Sequence, residues 1–201
     1  MRHAIVFARR PRLGTVKSRL AKDIGPVGAL RFYRANLFRL ARELGRDRSW
    51  ATWIAVTPDD ALGDVRSWPD CAGLIAQGGG DLGDRMGAAL ARFGHQAAVI
   101  IGSDVPAAGR RQVAAAFDAL RHNDLVFGPA SDGGYWLVGA AQGARVGSLF
   151  DGVRWSSEYA LSDTLENVRR GVRVAMLGSL SDIDTGDDYR AWARGGRRNR
   201  G

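Results

Sequence analysis

The chain begins with a short apolar run, Ala4-Ile5-Val6-Phe7-Ala8, bounded by charged residues on both sides. A run of that length with no polar alternation predicts a strand buried on both faces. Further along, the period changes: Leu30, Tyr33, Leu37, Leu40 and Leu44 recur at steps of three and four, which predicts a helix over 28–44 with one apolar face. Trp50–Thr57 and Gly73–Ala76 read as strands. Leu82, Met86, Leu90 and Phe93 then place a helix over 81–93, followed by a strand at 97–102. A helix over 109–121, strands at 124–129 and 135–139, a helix around 157–170 and a strand at 172–177 complete the pattern. Apolar strands alternating with helices call for a mostly parallel sheet covered on both faces, a Rossmann-like α/β arrangement whose ligands sit beyond the carboxyl ends of the strands.

Composition narrows the function classes. With 201 residues, 45% of them hydrophobic, the chain can bury one sizeable core, and no internal repeat or linker divides it. A lone cysteine, Cys71, excludes an internal disulfide and a cysteine-rich zinc site, which suits a reducing, cytoplasmic setting. The first apolar run is much shorter than a signal-peptide core, and nothing approaches the roughly 20 apolar residues of a membrane span. The formal charge of +8 is concentrated towards the two ends. Residues 194–201 lack apolar periodicity and read as a basic, solvated tail, leaving 1–193 as a single domain. Basic residues are not interleaved with aromatics and no recognition motif is present, so no specific nucleic-acid partner is expected.

Candidate chemistry lies in the loops that follow strands. Arg9-Arg10-Pro11-Arg12-Leu13-Gly14-Thr15-Val16-Lys17-Ser18-Arg19 follows the first strand directly. There Gly14 would let backbone approach a phosphate while Arg9, Lys17 and Arg19 supply charge; a solvated basic loop is the competing reading. Asp104, in Gly102-Ser103-Asp104-Val105-Pro106, stands where a carboxylate could ligate a hard cation, or could form a turn before Pro106. Asp132-Gly133-Gly134 between two apolar runs has hairpin-turn composition, and the same glycines would leave room for a sugar or phosphate beside Asp132. Asp81 and Arg85 open a helix behind three glycines, either to meet an anion or, for Asp81, to cap the helix. Asp182-Ile183-Asp184-Thr185-Gly186-Asp187-Asp188 crowds four carboxylates together, a metal role for one or two of them competing with helix capping. His3, His95 and His122 have no metal-ligand spacing, and Trp136 and Trp155 are either core residues or stacking platforms.

Taken in order, Phe7-Ala8-Arg9 with Val16-Lys17-Ser18-Arg19-Leu20, Gly80-Asp81-Leu82-Gly83-Asp84-Arg85-Met86, Gly102-Ser103-Asp104-Val105-Pro106, Gly128 to Tyr135, Trp155-Ser156-Ser157 and Asp182-Ile183-Asp184-Thr185 resemble the bacterial family called domain of unknown function 2064, or TIGR-type glycosyltransferases. The resemblance spans nearly the whole chain. It implies a GT-A, nucleotide-diphospho-sugar transferase fold, a three-layer α/β/α sandwich with a mixed, mostly parallel sheet. It implies transfer of a sugar from a nucleotide-diphosphate donor to an unknown small acceptor. By motif position, Lys17 and Arg19 would face the nucleotide phosphates, with Lys17 and Asp104 acting in catalysis. Asp104 and Asp184 would hold Mg²⁺ or Mn²⁺, and Asp132 and Gly133 would line the donor pocket. The wider superfamily includes nucleotidyltransferases acting on phosphorylated small molecules, which is the rival reading; a non-catalytic nucleotide-binding protein is a third. The usual Asp-x-Asp of GT-A enzymes is reduced here to Ser103-Asp104 after the central strand.

Overall fold

The structure, a computed structural model, describes residues 1–198. Seven strands, β1 (Arg2–Arg9), β2 (Trp50–Thr57), β3 (Gly73–Ala76), β4 (Ala98–Gly102), β5 (Leu125–Pro129), β6 (Tyr135–Ala140) and β7 (Val174–Met176), form one sheet in the order β3-β2-β1-β4-β6-β5-β7. Every neighbouring pair is parallel except the two that involve β6, which runs against β4 on one side and β5 on the other. The helices are α1 (Ser18–Gly45), α2 (Leu82–Arg92), α3 (Arg110–Ala119), α4 (Ala160–Glu166) and α5 (Gly186–Arg198).

Side chains alternate across β1 and divide the core into two layers. Ala4, Val6 and Ala8 join Leu37, Leu40 and Phe117 on the side covered by α1 and α3. Ile5 joins Met86, Leu90, Phe127 and Phe150 on the side covered by α2. A helix on each face of the sheet is the layering that the apolar strands required.

The helix expected around 157–170 is shorter, Ala160–Glu166, and two further elements differ more from the sequence pattern. Helix α1 starts ten residues ahead of the expected 28, at Ser18, because Leu20 is buried against Phe32 and Ile183. The helix breaks at Gly25 (φ 77°, ψ 156°) before Pro26, whose missing N–H and fixed φ interrupt the ladder and hide the first segment from a periodicity search. At the other end, α5 continues through Arg198, five residues into the stretch expected to be a tail. Its Tyr189 and Trp192 pack edge-on against Phe32, at 5.6 and 5.4 Å between ring centroids, which anchors the helix beyond the expected boundary. Residues 199–201 lie outside the described residues. No described helix is long and apolar enough to cross a membrane.

Candidate functional site

Strands β1 and β4 are neighbours in register, with Phe7 opposite Gly102, so the loops that leave their carboxyl ends start side by side. The first carries the basic run and the second carries Ser103-Asp104. Tyr33, buried on α1, ties the two together. Its hydroxyl accepts from the Arg9 N–H at 2.8 Å, donates to the Arg9 carbonyl at 3.0 Å and accepts from Ser103 Oγ at 3.1 Å. Asn36, one turn later, donates to the Ser103 carbonyl at 2.7 Å.

At the end of this loop Lys17 adopts a left-handed backbone conformation (φ 49°, ψ 51°) just before α1 and makes no side-chain cap. A lysine in that region is disfavoured by about 1 kcal/mol, and its contacts supply the compensation. The side chain is only 6% exposed, and its ammonium lies 2.7 Å from Asp184 Oδ1, 3.0 Å from Asp104 Oδ2 and 3.5 Å from Asp182 Oδ2. Burial alone would pull the Lys17 ammonium down; Asp104 and Asp184 outweigh it and hold the group above its ordinary value. Asp182 moves the other way. Burial pushes its carboxyl up to about 6, with Lys17 opposing the shift and Asp184, Asp104 and Asp132 adding to it.

Around this cluster lie two adjoining cavities. One, of about 490 Å³, is lined by Arg9, Thr15, Val16, Lys17, Ser18, Arg19, Ser103, Asp104 and Asp184. The other, of about 340 Å³, is bounded by Leu82, Met86, Tyr135 and Trp155 with Asp104, Asp132 and Asp182. Phe7, Leu82, Gly102 and Asp104 belong to both and form the shared wall.

The candidates from the sequence divide accordingly. Arg9, Lys17, Arg19, Asp104 and Asp184 meet at the basic cavity, with Arg19 Nη1 3.4 Å from Asp184 Oδ2. Asp132 lines the second cavity, its Oδ1 accepting from the Gly134 N–H at 3.0 Å. Gly133 shapes the β5–β6 hairpin rather than the wall: its φ is +86°, and a Cβ there would run into the Glu158 backbone. Gly14 (φ +78°) sits at the exposed tip of the basic loop, outside both linings. Asp81 and Arg85 also lie outside them. Asp81 caps α2 reciprocally with Asp84, both bonds at 2.9 Å, and Arg85 folds back on the Gly80 carbonyl at 2.8 and 3.1 Å. The sequence reading passed over Tyr33 and Asn36 as site residues, since their helical spacing marks them as core, and from one acidic run it named Asp184 and left out Asp182.

The site's donors suit a hard divalent cation. Asp104, Asp182 and Asp184 present carboxylate oxygens to one point, now filled by the Lys17 ammonium, and with Asp132 nearby the four carboxylates outnumber Lys17 and Arg19 by two formal charges. Among the described residues, no three acidic, histidine or cysteine side chains already stand in metal-holding geometry.

The model of the family described as "Uncharacterized protein conserved in bacteria (DUF2064)" matches residues 40–157. The chain belongs to the DUF2064 family. A protein of Desulfovibrio desulfuricans G20, provisionally named a nucleotide-diphospho-sugar transferase, is 31% identical over 95% of the DUF2064 chain and 85% of its own, with a TM-score of 0.88. More distant structures share the fold. The 4-diphosphocytidyl-2C-methyl-D-erythritol synthase of Anaerococcus prevotii has a TM-score of 0.62 at 13% identity, covering 96% of each chain. Rv0371c of Mycobacterium tuberculosis, solved in complex with manganese, has 0.56 at 17%, covering 94% of the DUF2064 chain and 96% of its own. No curated protein matches the sequence significantly. The mixed, mostly parallel sheet between helical layers is thus the fold of nucleotide-sugar transferases and nucleotidyltransferases.

Proposed function

We propose that this DUF2064 chain is a glycosyltransferase that takes its sugar from a nucleotide-diphosphate donor. The observation that carries the reading is the convergence of Lys17, Asp104 and Asp184 at the carboxyl edge of the sheet, beside a cavity whose cations are Arg9, Lys17 and Arg19. Diphosphate would bind there. Arg9 and Arg19 offer planar forks to phosphate oxygens, Lys17 offers a point charge, and the first turn of α1 has no acidic residue and no side-chain cap to compete with an anion. Asp104 and Asp184 would hold Mg²⁺ or Mn²⁺, which when bound supplies charge against the departing diphosphate.

In the reaction, the bond between the anomeric carbon and the phosphate oxygen breaks and its electron pair leaves with the nucleoside diphosphate. An acceptor heteroatom forms the new bond and gives up its proton to solvent. Lys17 and Arg19 stabilise the negative charge that grows on the leaving oxygens, where preorganised cations contribute most. The Tyr33 bridge holds the two loops in place before any ligand arrives, so positioning is built into the fold.

The reading is tested by thermal-shift and calorimetric titration of UDP-, GDP- and dTDP-sugars and of nucleoside triphosphates, with and without Mn²⁺. Sugar nucleotides with Mn²⁺ are expected to stabilise the protein most. A preference for triphosphates with release of pyrophosphate would make it a nucleotidyltransferase instead. Asp104→Asn should lower metal-dependent donor affinity at least tenfold, by analogy with the loss of one partner from a desolvated charge pair; undiminished affinity would remove Asp104 from the site.

A further inference from the structure

Among the described residues, no lysine, arginine or histidine lines the second cavity. Its charged wall residues are Asp104, Asp132 and Asp182, Ser156 and Ser157 add two hydroxyls, and the rest of the wall is mostly apolar, with Phe7, Tyr135, Trp136 and Trp155 as its rings. The adjoining cavity holds all the cations of the site. Two compartments with opposite charge on one sheet edge do not serve the same end of one ligand. We infer that the 340 Å³ cavity is the acceptor compartment and that the acceptor is a small non-anionic molecule, uncharged or cationic, with an apolar or aromatic body. This rests on the transferase reading above and extends it to the class of the second substrate.

Three arguments carry the assignment. First, a phosphate or carboxylate placed in the cavity would face Asp104, Asp132 and Asp182, while the nearest ammonium, Lys17, lies outside the lining and is already paired with Asp104 and Asp182. Like charges at contact distance in a partly desolvated site repel one another, which is the usual device by which a site rejects a wrong partner. Secondly, the size lies at the small end of small-molecule pockets, about 300–1,000 Å³, and suits a compact molecule. Thirdly, Trp155 and Tyr135 stand against each other edge-on, ring centroids 6.3 Å apart, and give a firm wall for a flat or apolar body. The segment bearing Trp155 is held by Arg154, whose backbone and guanidinium donate to Asp163 at 2.7–3.0 Å.

A phosphorylated second substrate, whether of sugar transfer or of nucleotidyl transfer, needs cations where its phosphate sits, and the described wall of this cavity supplies none. A non-anionic acceptor would offer a hydroxyl, amine or comparable group to the sugar.

The test uses the full chain with Mn²⁺ and UDP, and three probes that share one ring and differ in charge: tyrosol (uncharged), tyramine (cationic) and 4-hydroxyphenylacetate (anionic). Dissociation constants are read by ligand-observed NMR. Tyrosol and tyramine are expected to bind and 4-hydroxyphenylacetate to bind at least tenfold more weakly. Asp132→Asn should narrow that gap at least threefold while keeping the hairpin, because Asn can still accept from the Gly134 N–H. Trp155→Phe, which keeps a ring in place, should weaken all three probes, with melting temperatures confirming that both variants fold. Equal or tighter binding of the anion, or binding of none of the three while UDP and Mn²⁺ still bind, overturns the assignment. Probe binding in the expected order without any UDP binding would instead sink the nucleotide-donor reading and leave the cavity's charge preference standing.

Discussion

The two compartments at the sheet edge are built from different materials. The basic one is a loop with long side chains that reach into solvent, Arg19 being 76% exposed, and its order comes from below, through Tyr33 and Lys17. The acidic one is walled by a hairpin, by the start of α2 and by the segment leading into α4, with short side chains on packed backbone. Long cationic arms can follow a flexible diphosphate; short carboxylates on fixed backbone select by charge and shape. The two meet at Asp104, so neither can be altered there without disturbing the other.

Breaking the acidic side alone has the largest expected effect. Gly133→Ala would place a Cβ against the Glu158 backbone at a φ of +86°, and should cost about 2–4 kcal/mol of stability in urea unfolding. An unchanged midpoint would mean that the hairpin does not pack on the α4 approach. On the basic side, Lys17→Met would leave Asp104, Asp182 and Asp184 without their shared ammonium. Since these carboxylates keep 27–39% exposure, the expected loss is about 1–2 kcal/mol, and Mn²⁺ should restore part of it. Equal destabilisation with and without Mn²⁺ would deny the cation seat.

The smallest effect concerns the clamp behind Trp155. Hydrogen bonds from the Arg154 side chain and backbone hold the Asp163 carboxyl at about 2, below its ordinary 3.8. A depressed carboxyl contributes stability above the ordinary value, and the contribution is lost as pH falls from about 4 through about 2. Asp163→Asn should therefore lower the melting temperature slightly at pH 7, with the difference from the unsubstituted protein closing across that acid range. A pH-independent difference would place the effect in packing rather than charge.

Much of this arrangement was legible before any coordinates. The buried strands announced themselves as short apolar runs, and Asp132-Gly133-Gly134 marked the hairpin because positive φ demands glycine. Lys17, Asp104 and Asp184 could be nominated because each follows a strand or lies in a charged cluster. What stayed hidden depends on long-range packing. Ser18 was not visible as a helix start because Gly25-Pro26 interrupts the period. Tyr33 and Asn36 carry the helical spacing of core residues, and only the register of β1 against β4 gives their polar atoms something to hold. Asp81 and Arg85 show the opposite case, where local capping chemistry absorbs side chains that composition had offered to a ligand.

The Tyr33 hydroxyl has a consequence for how tightly substrates can be held. It spans two strand tips as a crossbeam, meeting main chain on one and a serine hydroxyl on the other. A mouth already braced in this way loses little configurational freedom when occupied, so more of the contact energy survives as affinity. Tyr33→Phe, which spares the ring and removes the strut, would loosen that mouth at both tips at once.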